Sequence, residues 1–178
     1  LFRSSAASDV YKRQVNECKA LAEKLDAPVC NGYQHNDSFP GSHPLAVGPL
    51  GYNGSKAAMQ LISKADVVLA LGTRLNPFST LPGYGIDYWP KNANIIQVDM
   101  NPDRIGLTKK VTVGIAGDAK QVAKQILQKL SSNAGDIGRE DRKNLIHQTK
   151  SAWLQTLTSL DHEDDDPGTV WNKEARER

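Results

Sequence analysis

The 178-residue chain is 39% hydrophobic and carries 22 basic against 20 acidic residues, a formal charge of +2. That length suits one domain with a real core, and a nearly balanced charge without a Lys/Arg cluster gives no electrostatic footprint for nucleic acid. The longest apolar run, Val67 to Leu71, falls far short of the ~20 residues that cross a bilayer, so no membrane partner is expected either.

Residues 1–14 are rich in Ser, Ala, Arg and Lys and show neither a helical nor a strand period. The stretch from Ser5 to Gln14 resembles a translated sequencing adaptor, and residues 1–14 are read as a non-native segment outside the fold. From Val15, the spacing of Val15, Cys18, Ala22 and Leu25 predicts an amphipathic helix. Asp26-Ala27-Pro28 breaks it, and Val29-Cys30-Asn31 reads as a short buried strand. A long polar loop follows, through His43-Pro44; loops of that length are usually functional or lie between domains.

A second helix follows Gly51-Tyr52-Asn53-Gly54, its apolar face made by Ala57, Ala58, Leu61, Ile62 and Ala65, with Asn53 or Ser55 as its cap. Asp66 to Leu71 reads as a strand buried on both faces, as in a parallel sheet covered by helices. Gly72-Thr73-Arg74 ends it. A loop over residues 75–92 leads to the strand Asn94 to Asp99, closed by Met100-Asn101-Pro102-Asp103. The alternation of Val111, Val113 and Ile115 predicts a further strand. Gly117-Asp118 then caps a helix with Ala119, Val122, Ala123, Ile126 and Leu130 on one stripe. Leu145, Ala152, Trp153, Leu157 and Leu160 predict one more helix. The acidic run from His162 to Asp166, broken by Pro167-Gly168, reads as a linker over 161–178 toward a missing C-terminal domain. The alternation of strands and helices argues for a Rossmann-like open parallel sheet with helices on both faces.

In such sheets ligands gather at the carboxyl ends of strands. Gly72 there allows another backbone to approach, and the Arg74 guanidinium can clamp an anion. Asp99, with Asn101 beside it, stands where an acid commonly accepts ribose hydroxyls. Gly51 and Gly54 precede a helix whose amino end could hold a phosphate. Each has a structural alternative: a turn at Gly72, an interdomain salt bridge at Arg74, a cap for the Asn101-Pro102-Asp103 turn at Asp99. The sequence has no complete GxGxxG, so the four residues Gly72, Arg74, Asp99 and Asn101 mark a nucleotide-type crevice without a named ligand. No metal site is expected, because the acids near His162 sit in linker-like sequence. His35 and His43 lie in the polar loop, where either could meet substrate or water, and His147 reads as helix surface. No residue is assigned a catalytic role. Cys18 and Cys30 lack CxxC spacing and a signal segment ahead of them, which fits free thiols in a reducing cytoplasm.

Pro28-Val29-Cys30, His43-Pro44-Leu45, Gly51-Tyr52-Asn53-Gly54-Ser55-Lys56-Ala57-Ala58, Ala65 to Arg74, Ile95 to Pro102 and Gly117-Asp118 occur in an order and spacing that resemble the central domain of thiamine-diphosphate-dependent enzymes. Asn31 to Pro40 and the Asp-rich tail are similar to the sulfoacetaldehyde acetyltransferases, more than to the acetolactate synthases. The resemblance covers Val15 to Arg178, with the domain proper at 15–160. It implies an enzyme that uses thiamine diphosphate and magnesium to convert sulfoacetaldehyde and phosphate to acetyl phosphate and sulfite. In such enzymes the activating glutamate lies in the preceding domain and the GDG-type magnesium-diphosphate motif in the following one. The resemblance thus implies a fragment whose partners are missing N- and C-terminal domains, homo-oligomeric when intact, this domain serving as scaffold and active-site-mouth support. Gly72, Arg74 and Asp99 align with positions that contact a nucleotide in relatives that hold one. Asn101 stands where flavin-binding relatives have an acid, so no flavin is expected. The family domain opens with a strand before its first helix; residues 1–14 occupy that place here, so the first strand is expected to be missing. An acetolactate-synthase-like central domain and a free-standing nucleotide-binding module are the alternatives.

Overall fold

The computed structural model describes residues 2–4, 15–32 and 38–159, with the backbone alone described at 2–4 and at 15. Residues 5–14, residues 33–37 with His35 among them, Leu160 and the 161–178 segment lie outside the described residues. Six strands form one parallel sheet: β1 (Phe2–Ser4), β2 (Val29–Asn31), β3 (Ala46–Pro49), β4 (Val67–Leu71), β5 (Asn94–Asp99) and β6 (Val113–Ala116). Their spatial order is β3-β2-β1-β4-β5-β6, the doubly wound arrangement.

Among the described residues four α-helices cover it: α1 (Val15–Leu25), α2 (Lys56–Ile62), α3 (Ala119–Lys129) and α4 (Arg139–Ser159). The crossover from β1 through α1 to β2 runs one way across the sheet and that from β3 through α2 to β4 runs the other. Right-handed connections therefore set α1 and α2 on opposite faces. α3 packs on α1, and α4 packs on α2, completing three layers.

The expectation of a missing first strand is corrected. Phe2, Arg3 and Ser4 pair in parallel with Val29, Cys30 and Asn31 on one side and with Leu69, Ala70 and Leu71 on the other. The physical reason is that this slot lies between two strands that both offer ladder donors and acceptors. Backbone pairing asks little of side-chain pattern, so three residues without a period can fill it.

The core explains the remaining elements. Val68, Ala70, Leu71 and Val98 are buried in the central strands, against Leu21 and Ala22 of α1, Ala58, Met59 and Ile62 of α2, and Ala123 of α3. Ser55 rather than Asn53 caps α2, its Oγ accepting from the Ala58 N–H at 3.3 Å. Asp118 caps α3 through the Gln121 N–H at 2.9 Å. In α4 the buried residue is Ile146; of the expected stripe Leu145 and Trp153 are partly buried and Ala152 is exposed. α4 is also fastened by polar groups. Arg139 pairs with Asp26 at 2.8 Å, Arg142 Nε donates to the Asp26 carbonyl at 3.1 Å, and Lys150 Nζ donates to the Pro44 carbonyl at 2.8 Å.

Candidate functional site

The carboxyl ends of β4 and β5 carry the residues singled out in the sequence, one strand over from the β1–β4 point where the strand order reverses. Leu71 is in register with Val98, and the Gly72 N–H donates to the Val98 carbonyl at 2.8 Å, which sets Gly72 beside Asp99. Gly72 has φ 61°, a left-handed conformation that lets β4 turn sharply away from the sheet. The Gly117 N–H donates to the Asp99 carbonyl at 3.0 Å, so the β6 exit closes in from the far side.

Arg74 follows two residues later. It is exposed, and among the described residues its guanidinium has no ion-pair or hydrogen-bond partner. Its backbone is held firmly. Thr108 Oγ1 donates to the Arg74 carbonyl at 3.0 Å and to the Leu75 carbonyl at 2.7 Å. Leu75 is fully buried at φ 52°, a conformation that costs a branched residue about 1–2 kcal/mol and persists only where its surroundings enforce it. The Thr73 hydroxyl assists by accepting from the Leu75 N–H at 3.2 Å.

Asp99 is 5% exposed, and its Oδ1 accepts from the Asn101 N–H at 2.9 Å. Asn101 Oδ1 in turn accepts from the Asp103 N–H at 3.0 Å, opening the short 3₁₀ turn Pro102–Arg104. The carboxylate of Asp99 is thus engaged in its own turn, while Arg74 remains available to an anion. Gly72 and Asp99 are brought together; Arg74 and Asn101 stand at the outer lip of the same crevice.

The Gly51–Gly54 segment lies at the end of β3, on the other half of the sheet. A Cβ on Gly54 would sit 2.5 Å from the Pro49 carbonyl oxygen, so glycine there serves the tight turn. His43 packs inward: Nδ1 accepts from the Leu45 N–H at 3.1 Å and Nε2 meets Glu23 Oε1 at 3.1 Å. It holds the loop before β3 to α1. His147 is exposed on α4.

Sequence reasoning passed over Gln97 and Thr108. Gln97 is 1% exposed in the middle of a buried strand. A glutamine amid Ile95, Ile96 and Val98 was the available signal, because a buried amide must find partners.

A hollow of about 600 Å³ lies elsewhere, between α4 and the β3 edge. Leu45, Val47, Ile146, Trp153, Leu154 and Leu157 make it apolar, and none of the four residues Gly72, Arg74, Asp99 and Asn101 lines it. Cys18 and Cys30 are free and buried. Among the described residues no three or more His, Cys, Asp or Glu side chains are grouped to hold a metal ion, so these residues do not fit a magnesium-diphosphate site. No described helix is long and apolar enough to cross a membrane.

Residues 9–126 match the thiamine pyrophosphate enzyme central domain. The chain is 77% identical, over 98% of its length, to a probable sulfoacetaldehyde acetyltransferase of Rhizobium meliloti, of which it covers 29%. It is 78% identical over 88% of its length to the sulfoacetaldehyde acetyltransferase of Roseovarius nubinhibens, of which it covers 26%. A probable acetolactate synthase large subunit of Methanocaldococcus jannaschii is 38% identical over 81% of the chain, which covers 22% of it. The chain therefore spans between a quarter and a third of the length of the sulfoacetaldehyde acetyltransferases it resembles at these identities. With its family match over residues 9–126 and its doubly wound parallel sheet, the chain belongs to the thiamine pyrophosphate enzymes, as a central domain.

Proposed function

We propose that the intact protein is a thiamine-diphosphate-dependent acetyltransferase that converts sulfoacetaldehyde and phosphate to acetyl phosphate and sulfite. The observation that carries this reading is the gap in identity: 77% and 78% to proteins named for that activity, against 33% and 38% to acetolactate synthase large subunits. Thiamine diphosphate, when bound, supplies the ylid that attacks the carbonyl carbon. Magnesium and the diphosphate are held by domains other than this one, in a cytoplasmic homo-oligomer. The part played by this chain is mechanical, spacing the catalytic domains and placing the loops after β4 and β5 at the mouth of the active site.

The crevice itself accepts a nucleotide-type anion weakly, through Arg74, and holds no flavin tightly. The free Arg74 guanidinium favours an anion, while Asp99 is already turned onto the Asn101 N–H. Purified protein absorbing in the flavin band at one equivalent per chain would overturn this part.

The activity is tested on the full-length protein with thiamine diphosphate and magnesium. Sulfoacetaldehyde and phosphate should yield acetyl phosphate and sulfite in equal amounts, and pyruvate should yield little acetolactate. Dominant acetolactate formation would establish the acetolactate-synthase alternative instead. Residues 1–178 alone should give no acetyl phosphate above blank.

A further inference from the structure

We propose that Gln97 is a positioning residue that locks the exit turns of β4 and β5 into one body and so fixes the backbone from which Arg74 projects. The inference goes beyond the activity proposed above and stands on backbone geometry around the crevice. Gln97 lies in the middle of β5, in register with Ala70 of β4 and Gly114 of β6, and is 1% exposed. Its Nε2 donates to the Thr73 carbonyl at 2.9 Å and to the Arg104 carbonyl at 3.1 Å. Its Oε1 accepts from the Gly106 N–H at 2.8 Å. One carboxamide therefore ties three backbone groups from two separate turns.

The chemistry of the amide fixes its orientation. Two carbonyl oxygens need donors and one N–H needs an acceptor; the flipped amide would face two carbonyls with oxygen and an N–H with an NH₂ group. No other uncharged side chain of this size supplies two donors and an acceptor in that pattern. Thr108 Oγ1 adds a second tie between the same two segments, at Arg74 and Leu75. The left-handed Leu75 supplies an independent reason for the restraint, since a backbone in that conformation relaxes when its surroundings let go.

Backbone ¹⁵N relaxation on the full chain tests this with wild type, Gln97→Leu and Gln97→Glu. In wild type, residues 72–75 and 104–108 should both show order parameters near ~0.85, as for rigid backbone. In Gln97→Leu both segments should fall together toward ~0.6 or below, with β4 and α2 unchanged. Gln97→Glu supplies a signature that a merely space-filling role would not give. Its carboxylate would face two carbonyls, with Asp99 two residues along the same strand, while Arg74 and Arg104, the cations of the two turns, are exposed. Desolvation and the carbonyls raise its pKa, and the protonated acid can donate to one carbonyl while accepting from Gly106. Order in both turns should therefore return as the pH is lowered from about 8 to about 5, which Gln97→Leu should not show. Unchanged order parameters in Gln97→Leu, loosening of one turn without the other, or the same pH response in both variants would overturn the proposal. Titration with ADP, followed at the Arg74 amide, separates this from the crevice reading. A wild type that ignores ADP would end the anion reading and leave the coupling to be judged on the order parameters. If ADP binds, Gln97→Leu should weaken it about tenfold, and equal affinities would count against a positioning role.

Discussion

The two halves of the sheet are built by different means. β4 and β5 have five and six residues, pair without interruption from Val67↔Asn94 to Leu71↔Val98, and bury most of their side chains. β1, β2 and β3 have three or four residues each, and the pairing of β2 with β3 shifts between Val29 and Cys30. The first half pairs along long ladders; the second makes short ones, with Val29, Cys30, Ala46 and Val47 buried in the same core. A strand of three residues is specified by its slot more than by its own sequence.

Removing β1 should break that comparison most severely. Deletion of residues 1–4 leaves β2 and β4 each facing an empty slot at the centre of the sheet, where unpaired edges associate with other chains. The expected result is loss of a cooperative melt, a cost on the order of the ~5–15 kcal/mol that holds a domain together, with aggregates on size exclusion. A monodisperse peak with an unchanged melting temperature would mean that β2 and β4 do not depend on this strand.

Leu71→Ala probes the long-ladder half. Leu71 is 1% exposed, so truncation should cost about 2–5 kcal/mol by urea unfolding without change in slope. Gly54→Ala probes the short-ladder half: the new methyl would meet the Pro49 carbonyl oxygen at 2.5 Å and the Leu50 carbonyl carbon at 2.8 Å. Backbone yields less readily than a side chain, and about 1–3 kcal/mol is expected from the same measurement. Asp118→Ala should cost about 1 kcal/mol, through the cap it gives the Gln121 N–H, and Asp118→Asn should restore most of it.

The smallest effect is one of pH. Burial, with Glu17 alongside, pushes the Cys18 thiol from 9.0 up to about 11. The folded state thus holds its proton more tightly than the unfolded chain does. Stability from this group is full below pH 9 and is lost as the pH rises toward 11, with about 0.4 kcal/mol gone by pH 9. Urea melts at pH 7 and 9 should show that difference, and Cys18→Ala should reduce it.

What could be read in the sequence follows the same division. Val67 to Leu71 and Asn94 to Asp99 announce themselves, because an apolar run between turn signals has few other uses. The boundaries of α1 were equally plain, since the Asp26-Ala27-Pro28 break coincides with its end at Leu25. β3 was hidden in Ala46-Val47-Gly48-Pro49: four residues ending in glycine and proline read as loop, although an edge strand tolerates both. β1 was hidden because its pairing is decided by neighbours 25 or more residues away. At the crevice, Gly72, Arg74, Asp99 and Asn101 were visible from their place at strand ends. The ties from Gln97 and Thr108 were not, since each reaches a backbone carbonyl, and carbonyls carry no residue identity.

The fastening of α4 has a mechanical consequence. Arg139 and Arg142 grip Asp26 at one end of the helix, and Lys150 grips the Pro44 carbonyl a little past its middle. Beyond that point Leu154 is 64% exposed and no residue is buried. The helix is a cantilever: clamped at its root, propped by Lys150 and again by the Trp153 ring, which meets Tyr84 edge-on at 5.7 Å, and least supported at its tip. Bending stiffness falls steeply with unsupported length, so amide protection should decline from Ile146 toward Ser159.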